Sequence, residues 1–436
     1  MANQLYCGAA KVDITPAEEE VSGLFGLMGI PYAGIIDRLA ARIIALASGE
    51  DRAMIVAFDL DKAPNPKTWL PELAAHTGIR EESILYFGTH THSAPLTTIR
   101  PRERNQATPE QRANMDRYEA VLHEKLIRCA DEALANLRPA RMGCAYGESF
   151  VNVNRNADFV YTDENGNRYP FVNEAMNWGA PVDRTVLAIR FEDLEGNPIA
   201  FFTNYAMHCC LMFLNNYDGS GSMGISGDIA GNVSRLVEEK YPGSVAVWSS
   251  GAAGDVDPVL FNVFIYPDPK DGHCVKEPIE SWKTSLQQLN MIVGWHFKDI
   301  CTTIDKIECN QETAELASAL EWSETPSNDE DPYRIRVQAF RVGEAVLFGI
   351  GGELYNSFGR RLRDISRAKY TAFINHNASL IEDAGYILDD DTIARAKQDA
   401  PVPHMIPGGR TKARPGCVGP SLEKLTSQLT DKLFNA

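Results

Sequence analysis

Six polar side chains stand at or just past the ends of apolar runs: Asp59, His90, His92, His208, Asp255 and Glu353. Two of them lie one residue apart in Gly88-Thr89-His90-Thr91-His92-Ser93-Ala94-Pro95. The run before them, Ile84-Leu85-Tyr86-Phe87, is short, apolar and aromatic, which predicts a buried strand. In extended backbone, residues i and i+2 face the same way. If extended backbone continues past Thr89, His90 and His92 look into one cleft at the strand's carboxyl edge. Open α/β sheets place their ligands there. Two histidines and a glutamate form a common catalytic zinc set that leaves a position for water. Such an ion lowers the pKa of its water toward ~7. Each residue alone has a plainer alternative. His208 can equally be a hydrogen-bonded core histidine, Glu353 a helix cap, and Asp255 an Asx-turn. The combination favours a metal site. Asp59 or Asp255 is expected to hold the second ring nitrogen of a histidine ligand.

The spacing predicts the elements that must position these groups. Residues 8–16 read as a first strand. The stretches 39–47 and 53–60 read as two strands across the turn Ser48-Gly49-Glu50-Asp51. Residues 67–77 and 109–137 have helical spacing. The stretches 185–191 and 199–206 form a hairpin that delivers Met207-His208. Residues 244–250 form a buried strand ending in Gly251-Ala252-Ala253-Gly254-Asp255-Val256-Asp257-Pro258. A helix follows Ser226-Gly227-Asp228, with Ser226 or Asp228 as its cap. A long helix is expected over 279–305, and strands at 333–342, 345–350 and 371–375. Helices are expected over 355–367 and 420–434. Val151-Asn152-Val153-Asn154-Arg155-Asn156 reads as a polar turn, and the residues from there to about 182 as a loop. Residues 259–278 read as another loop, and the basic stretch with Arg100, Arg102 and Arg104 as a loop or lid. The expected fold is α/β: a multi-layer sandwich with central mixed β-sheets flanked by helices, in one large domain over 1–436.

Composition narrows the partners. The formal charge of −17 over 436 residues argues against nucleic acid, which needs a basic face. It argues equally against an anionic membrane surface. No run of about 18 apolar residues predicts a membrane anchor, and the N-terminus lacks the basic and apolar segments of a signal peptide. Nine cysteines without framework spacing suit a reducing cytoplasm. A small-molecule substrate is expected; a homo-oligomer stays open.

Several motifs together resemble the neutral/alkaline non-lysosomal ceramidase family, in its catalytic N-terminal domain. Gly88-Thr89-His90-Thr91-His92-Ser93-Ala94-Pro95 is similar to GTHTHSGP. Val153-Asn154-Arg155 is similar to INR, and Ala206-Met207-His208 to AxH. Gly254-Asp255-Val256-Asp257-Pro258 is similar to GDVSP, and Gly352-Glu353 with Arg360-Arg361-Leu362-Arg363 to PGE…GRRLR. The resemblance implies Zn2+ held by His90, His208, Glu353 and a tyrosine, for which Tyr386 is the candidate. It also implies His92, Arg155 and Tyr386 as catalytic or substrate-contacting residues. His92 would orient or protonate a leaving group. Arg155 would hold a carboxylate or an oxyanion.

The chain departs from the family pattern where GDVSP has its serine, because Asp257 stands there. That excludes serine chemistry at this position and leaves metal-activated water. A C-terminal immunoglobulin-like domain is not expected after residue 390. The expectation is therefore a zinc-dependent hydrolase of an amide bond in a small polar molecule, with ceramide a doubtful substrate. A metal-dependent lactone or ester hydrolase, a lyase, and a non-catalytic binding protein on this scaffold stay open.

Overall fold

The computed structural model describes residues 3–97, 107–268, 270, 274–278, 281–379, 385–398, 401 and 404–435. The stretch with Arg100, Arg102 and Arg104 lies outside them. Strand Ala40–Ser48 shows how the layers arise. Ile43 and Ala45 face one core, while Ile44 and Leu46 face another. This period-two alternation with apolar residues on both sides marks a central strand. It sits in an eight-stranded mixed sheet. In spatial order the strands are Val245–Ser250, Pro198–Tyr205, Thr185–Asp193, Arg138–Glu148, Leu5–Asp13, Ala40–Ser48, Asp51–Phe58 and Ile84–Gly88. The outermost pair at each edge is parallel and the rest are antiparallel.

A second sheet of four strands holds Leu316–Thr325, Tyr333–Val342, Ala345–Ile350 and Tyr370–Ile374, of which the last two pair in parallel. Phe340, Leu347 and Ile374 of this sheet pack on Ile55, Phe87, Ile189 and Phe202 of the first. Helices cover the outer faces. Trp69–Thr77 and Pro109–Ala135 lie on one half of the large sheet, and Asp228–Lys240 with Trp282–Ile304 on the other. Asn356–Ile365 and Val418–Phe434 cover the small sheet. The result is a helix–sheet–sheet–helix sandwich, as the sequence pattern predicts.

Three parallel pairs matter most, because their carboxyl ends point to one place. Asp51–Phe58 beside Ile84–Gly88 leads to Asp61 and His90. Pro198–Tyr205 beside Val245–Ser250 leads to His208 and Gly254. Ala345–Ile350 beside Tyr370–Ile374 leads to Glu353 and His376. Hydrogen bonds cross between the sheets at this end: Asn375 N–H to Ser250 O at 3.0 Å, and Asn204 Nδ2 to Phe373 O at 3.0 Å.

Some local expectations need correction. Residues 152–156 are not a turn. Asn152–Thr162 and Arg168–Asn177 form an antiparallel hairpin, joined by Val256–Pro258 as a third strand. Residues 263–267 and 274–278 are a second hairpin within the expected 259–278 loop. Neither Ser226 nor Asp228 caps helix Asp228–Lys240 through the expected bond. Gly227 holds the cap position, and Ser226 Oγ accepts from the Asp228 N–H at 2.9 Å. Among the described residues Asp59 supports no histidine. Its carboxylate turns back into the sheet and accepts from Arg42 Nη1 at 2.7 Å and the Ala40 N–H at 2.9 Å. Arg42 also reaches Glu238 at 2.9 Å, so this buried network ties helix Asp228–Lys240 to the sheet.

Candidate metal centre

The backbone after Gly88 does not stay extended. His90 takes φ 67°, a left-handed conformation uncommon outside glycine. Such strain is kept where the surroundings dictate it. The His90 N–H donates to Leu60 O at 2.9 Å, and the His92 N–H to Cys209 O at 3.0 Å. The two rings therefore converge through a sharp bend rather than through strand alternation. Gly88 allows the approach: a Cβ there would stand 2.8 Å from Leu60 O and from the Lys62 backbone. The 59–62 turn passes over this glycine and brings Asp61 against His90.

Hydrogen bonds fix the state of each ring. His90 Nδ1 lies 2.9 Å from Asp61 Oδ1 and 3.0 Å from Asp61 O. Both are acceptors, so Nδ1 carries the hydrogen and Nε2 the lone pair. His208 Nδ1 lies 2.7 Å from Ala253 O and 3.1 Å from Val256 O, with the same outcome. The two Nε2 atoms face Glu353 Oε2, at 3.7 Å from His90 and 3.2 Å from His208. His92 Nε2 is 3.1 Å from His90 Nε2. One donor atom from each of His90, His92 and His208 lies within 4.8 Å of the others. His90, His208 and Glu353 together fit a metal ion: two imidazole lone pairs prepared by outer partners, and one carboxylate. The supporting groups are Asp61 and two backbone carbonyls, not Asp59 or Asp255. Asp255 instead accepts from the Asn356 N–H and Asn154 Nδ2, both at 2.7 Å.

Charge follows from this packing. Burial opposes ionisation of Asp61 and Glu353, yet both carboxyls are held well below their usual range. His90 does this for Asp61; His208 and His90 do it for Glu353. Burial pulls His90 down, but the Asp61 and Glu353 carboxylates outweigh it and raise its pKa. Burial and Arg155 lower His208, while burial and His90 hold His92 well below the ordinary histidine value.

Arg155 is 4% exposed and closes the other side. Its Nη1 reaches Asp257 Oδ1 and Glu174 Oε1, both at 3.2 Å. Its Nη2 reaches Gly254 O at 2.8 Å, and His208 Nε2 and Tyr386 Oη at 3.2 Å each. An ion on His208 Nε2 would replace the arginine contact to that lone pair and leave the others. Asp257 is thus a partner of the guanidinium. A Cβ on Gly254 would lie 2.6 Å from Glu353 O, so only glycine lets this loop run beside the glutamate. Tyr386 pairs with Glu353 in a short parallel ladder. Its hydroxyl is pushed well above the usual tyrosine value by burial and by Glu353. His92 and Tyr386 are half-buried, whereas His90, His208 and Glu353 are buried, so the first two mark the accessible side.

The structure brings all six sequence-derived residues together: His90, His92, Arg155, His208, Glu353 and Tyr386. Sequence reasoning missed Asp61 and His376. His376 follows the buried strand Tyr370–Ile374 as His208 follows its own strand, so the same signal was present. Its ring stacks on His90 with centroids 3.7 Å apart.

The carboxylate of Asp61 gives a direct test. Asp61→Asn keeps an acceptor for His90 but removes its charge. Zinc affinity is expected to fall about 10–100-fold, measured by competition with a chromogenic chelator. Unchanged affinity would mean that the backbone carbonyl alone orients the ring.

A family model described as neutral/alkaline non-lysosomal ceramidase, N-terminal, matches residues 5–278. The chain is similar to neutral ceramidase B of Dictyostelium discoideum, with 29% identity over 281 residues, 58% of this chain and 35% of that protein. It is also similar to neutral ceramidase A of the same organism, with 30% identity over 206 residues, 43% of this chain and 26% of that protein. The matched region therefore spans about a third of one curated relative and about a quarter of the other. Among solved structures, the neutral ceramidase from Pseudomonas aeruginosa superposes with a TM-score of 0.71 at 17% identity, over 100% of this chain and 75% of that one. A ceramidase complexed with C2 gives 0.72 at 16% identity, over 99% and 76%. At these identities the likeness establishes the fold.

Proposed function

Because this chain belongs to the neutral/alkaline non-lysosomal ceramidase family, we propose that it is a zinc-dependent hydrolase cleaving an amide bond in a small polar substrate. One observation carries the reading: the His90 and His208 Nε2 lone pairs and the Glu353 carboxylate converge at the carboxyl ends of three parallel strand pairs. A bound ion would supply Lewis-acid polarisation of the carbonyl and water activated at neutral pH. The remaining work falls to the chain. Arg155, fixed by Asp257, Glu174 and Gly254, presents donors to a carbonyl oxygen as it gains negative charge. His92 is half-buried and kept uncharged by burial and by His90, placed to take a proton from the attacking water and hand it to the departing nitrogen. Tyr386 completes the wall beside Glu353 and can join the ligand set.

The substrate class rests on the surroundings. A cavity of about 820 Å3 lies against Tyr386 and Glu174. Its other walls carry Gln398, His404 and Arg410 beside Met405 and Ile406. The mixture suits a polar molecule that also carries an apolar part. Among the described residues no helix is long and apolar enough to cross a membrane.

Two measurements test the proposal. Elemental analysis of the purified protein is expected to give stoichiometric zinc. Incubation with a panel of short-chain amides, read by mass spectrometry, is expected to give products that together gain one water. Absence of bound metal, or a product without that gain, refutes it.

A further inference from the structure

His376 has no place in the reading above. It is 1% exposed, and neither ring nitrogen has a hydrogen-bond partner among the described residues. A buried imidazole left this way forfeits the hydrogen bonds water would give it. Its backbone takes φ 62°, the same uncommon conformation as His90, and its N–H is tied to Gly352 O at 3.1 Å. The chain thus bends sharply to bring this ring to the centre. One donor atom each from His376, His90 and Glu353 lies within 4.8 Å of the other two.

The stacking decides what His376 can hold. The His90 and His376 planes are 20° apart with centroids separated by 3.7 Å. A metal bound to imidazole lies near the ring plane, about 2.0–2.1 Å from nitrogen. An ion in the plane of His90 is therefore far out of the plane of His376, so the two rings cannot share it in this arrangement. Each can hold its own ion, and the two ions would then stand roughly one ring spacing apart. Paired hydrolytic ions are typically about 3.5–4 Å apart. Glu353 is the carboxylate that both rings approach.

We propose that this centre takes two divalent ions, the second held by His376 and bridged to the first by Glu353, with water completing its shell. Asp61 and Glu353 bring two carboxylates to this corner, where His90 and Lys62 also act on His376. The proposal rests on the metal reading of the first site, and its test separates the two.

Titration of metal-free protein with Zn2+, followed by native mass spectrometry, is expected to saturate at about two ions per chain. His376→Ala should saturate at about one and keep the tighter ion. His376→Gln preserves most of the side-chain volume and should behave like His376→Ala, which guards against a folding artefact. Saturation of the unmodified protein at one ion overturns the proposal while leaving the first site standing. Retention of two ions in both variants overturns it as well. No bound zinc in the unmodified protein defeats both readings.

Discussion

In Glu353→Gln, bound zinc and amide turnover are expected to disappear together, with turnover down about 10^3-fold or more, some 4 kcal/mol of barrier. The substitution changes charge and hardly changes shape. Glu353 supplies the only anionic oxygen facing both His90 and His208 Nε2 among the described residues. Its depressed pKa means that the carboxylate is already formed at neutral pH. A glutamine amide is a poor zinc donor and carries no charge to offset the ion. The ladder to Tyr386 is backbone-made and survives, so the fold should too. In the metal-free protein the depressed carboxyl contributes stability that is fully present above about pH 4.3. That contribution is lost as pH falls through the lower folded value. Urea melts of both metal-free proteins between pH 3 and 7 should show the dependence in the parent and its reduction in Glu353→Gln. Zinc retained at full stoichiometry in the variant would remove Glu353 from the centre.

Arg155→Ala is expected to cost both catalysis and stability, and the two losses can be separated. Loss of its donors should lower kcat about 10^2–10^3-fold. Loss of its charge leaves Asp257, 4% exposed, as an uncompensated buried carboxylate, which costs about 3–5 kcal/mol. Arg155→Met combined with Asp257→Asn removes both charges. Thermal melts should show stability largely restored in that pair, while steady-state kinetics show turnover still depressed. Recovery of both would mean that Arg155 serves only the fold.

His90, His208 and Glu353 were legible because each follows a short apolar strand, and polar residues just beyond buried strands face the open end of a sheet. Asp59 was a plausible supporter by the same logic. It fails because the neighbouring strand offers Arg42, whose buried charge attracts it; Asp61, two residues on, is free to reach His90. That choice depends on a cross-strand partner that no local pattern reveals. His376 carried the same signal as His208 and could have been found. The Asn152–Thr162 hairpin was hidden for a different reason. Its Asn152, Asn154 and Arg155 point polar groups inward, to Ala206 O, Asp255 and His208. A strand that lines a site loses the alternation that normally announces it. The bend at His90 was equally invisible, since a left-handed histidine is set by its surroundings and not by its type.

The hydrogen bonds that cross between the two sheets, from Asn375 to Ser250 and from Asn204 to Phe373, give the centre a further character. His90 and His208 follow strands of the large sheet, and Glu353 follows a strand of the small one. An ion held by all three is therefore a rivet through both layers. It would have no partial form in a chain whose sheets have come apart, so it would bind the assembled state and not the open one. Ion affinity and resistance to unfolding then become one thermodynamic quantity viewed from two ends. A change anywhere along the seam alters how tightly the rivet holds, without touching a single ligand.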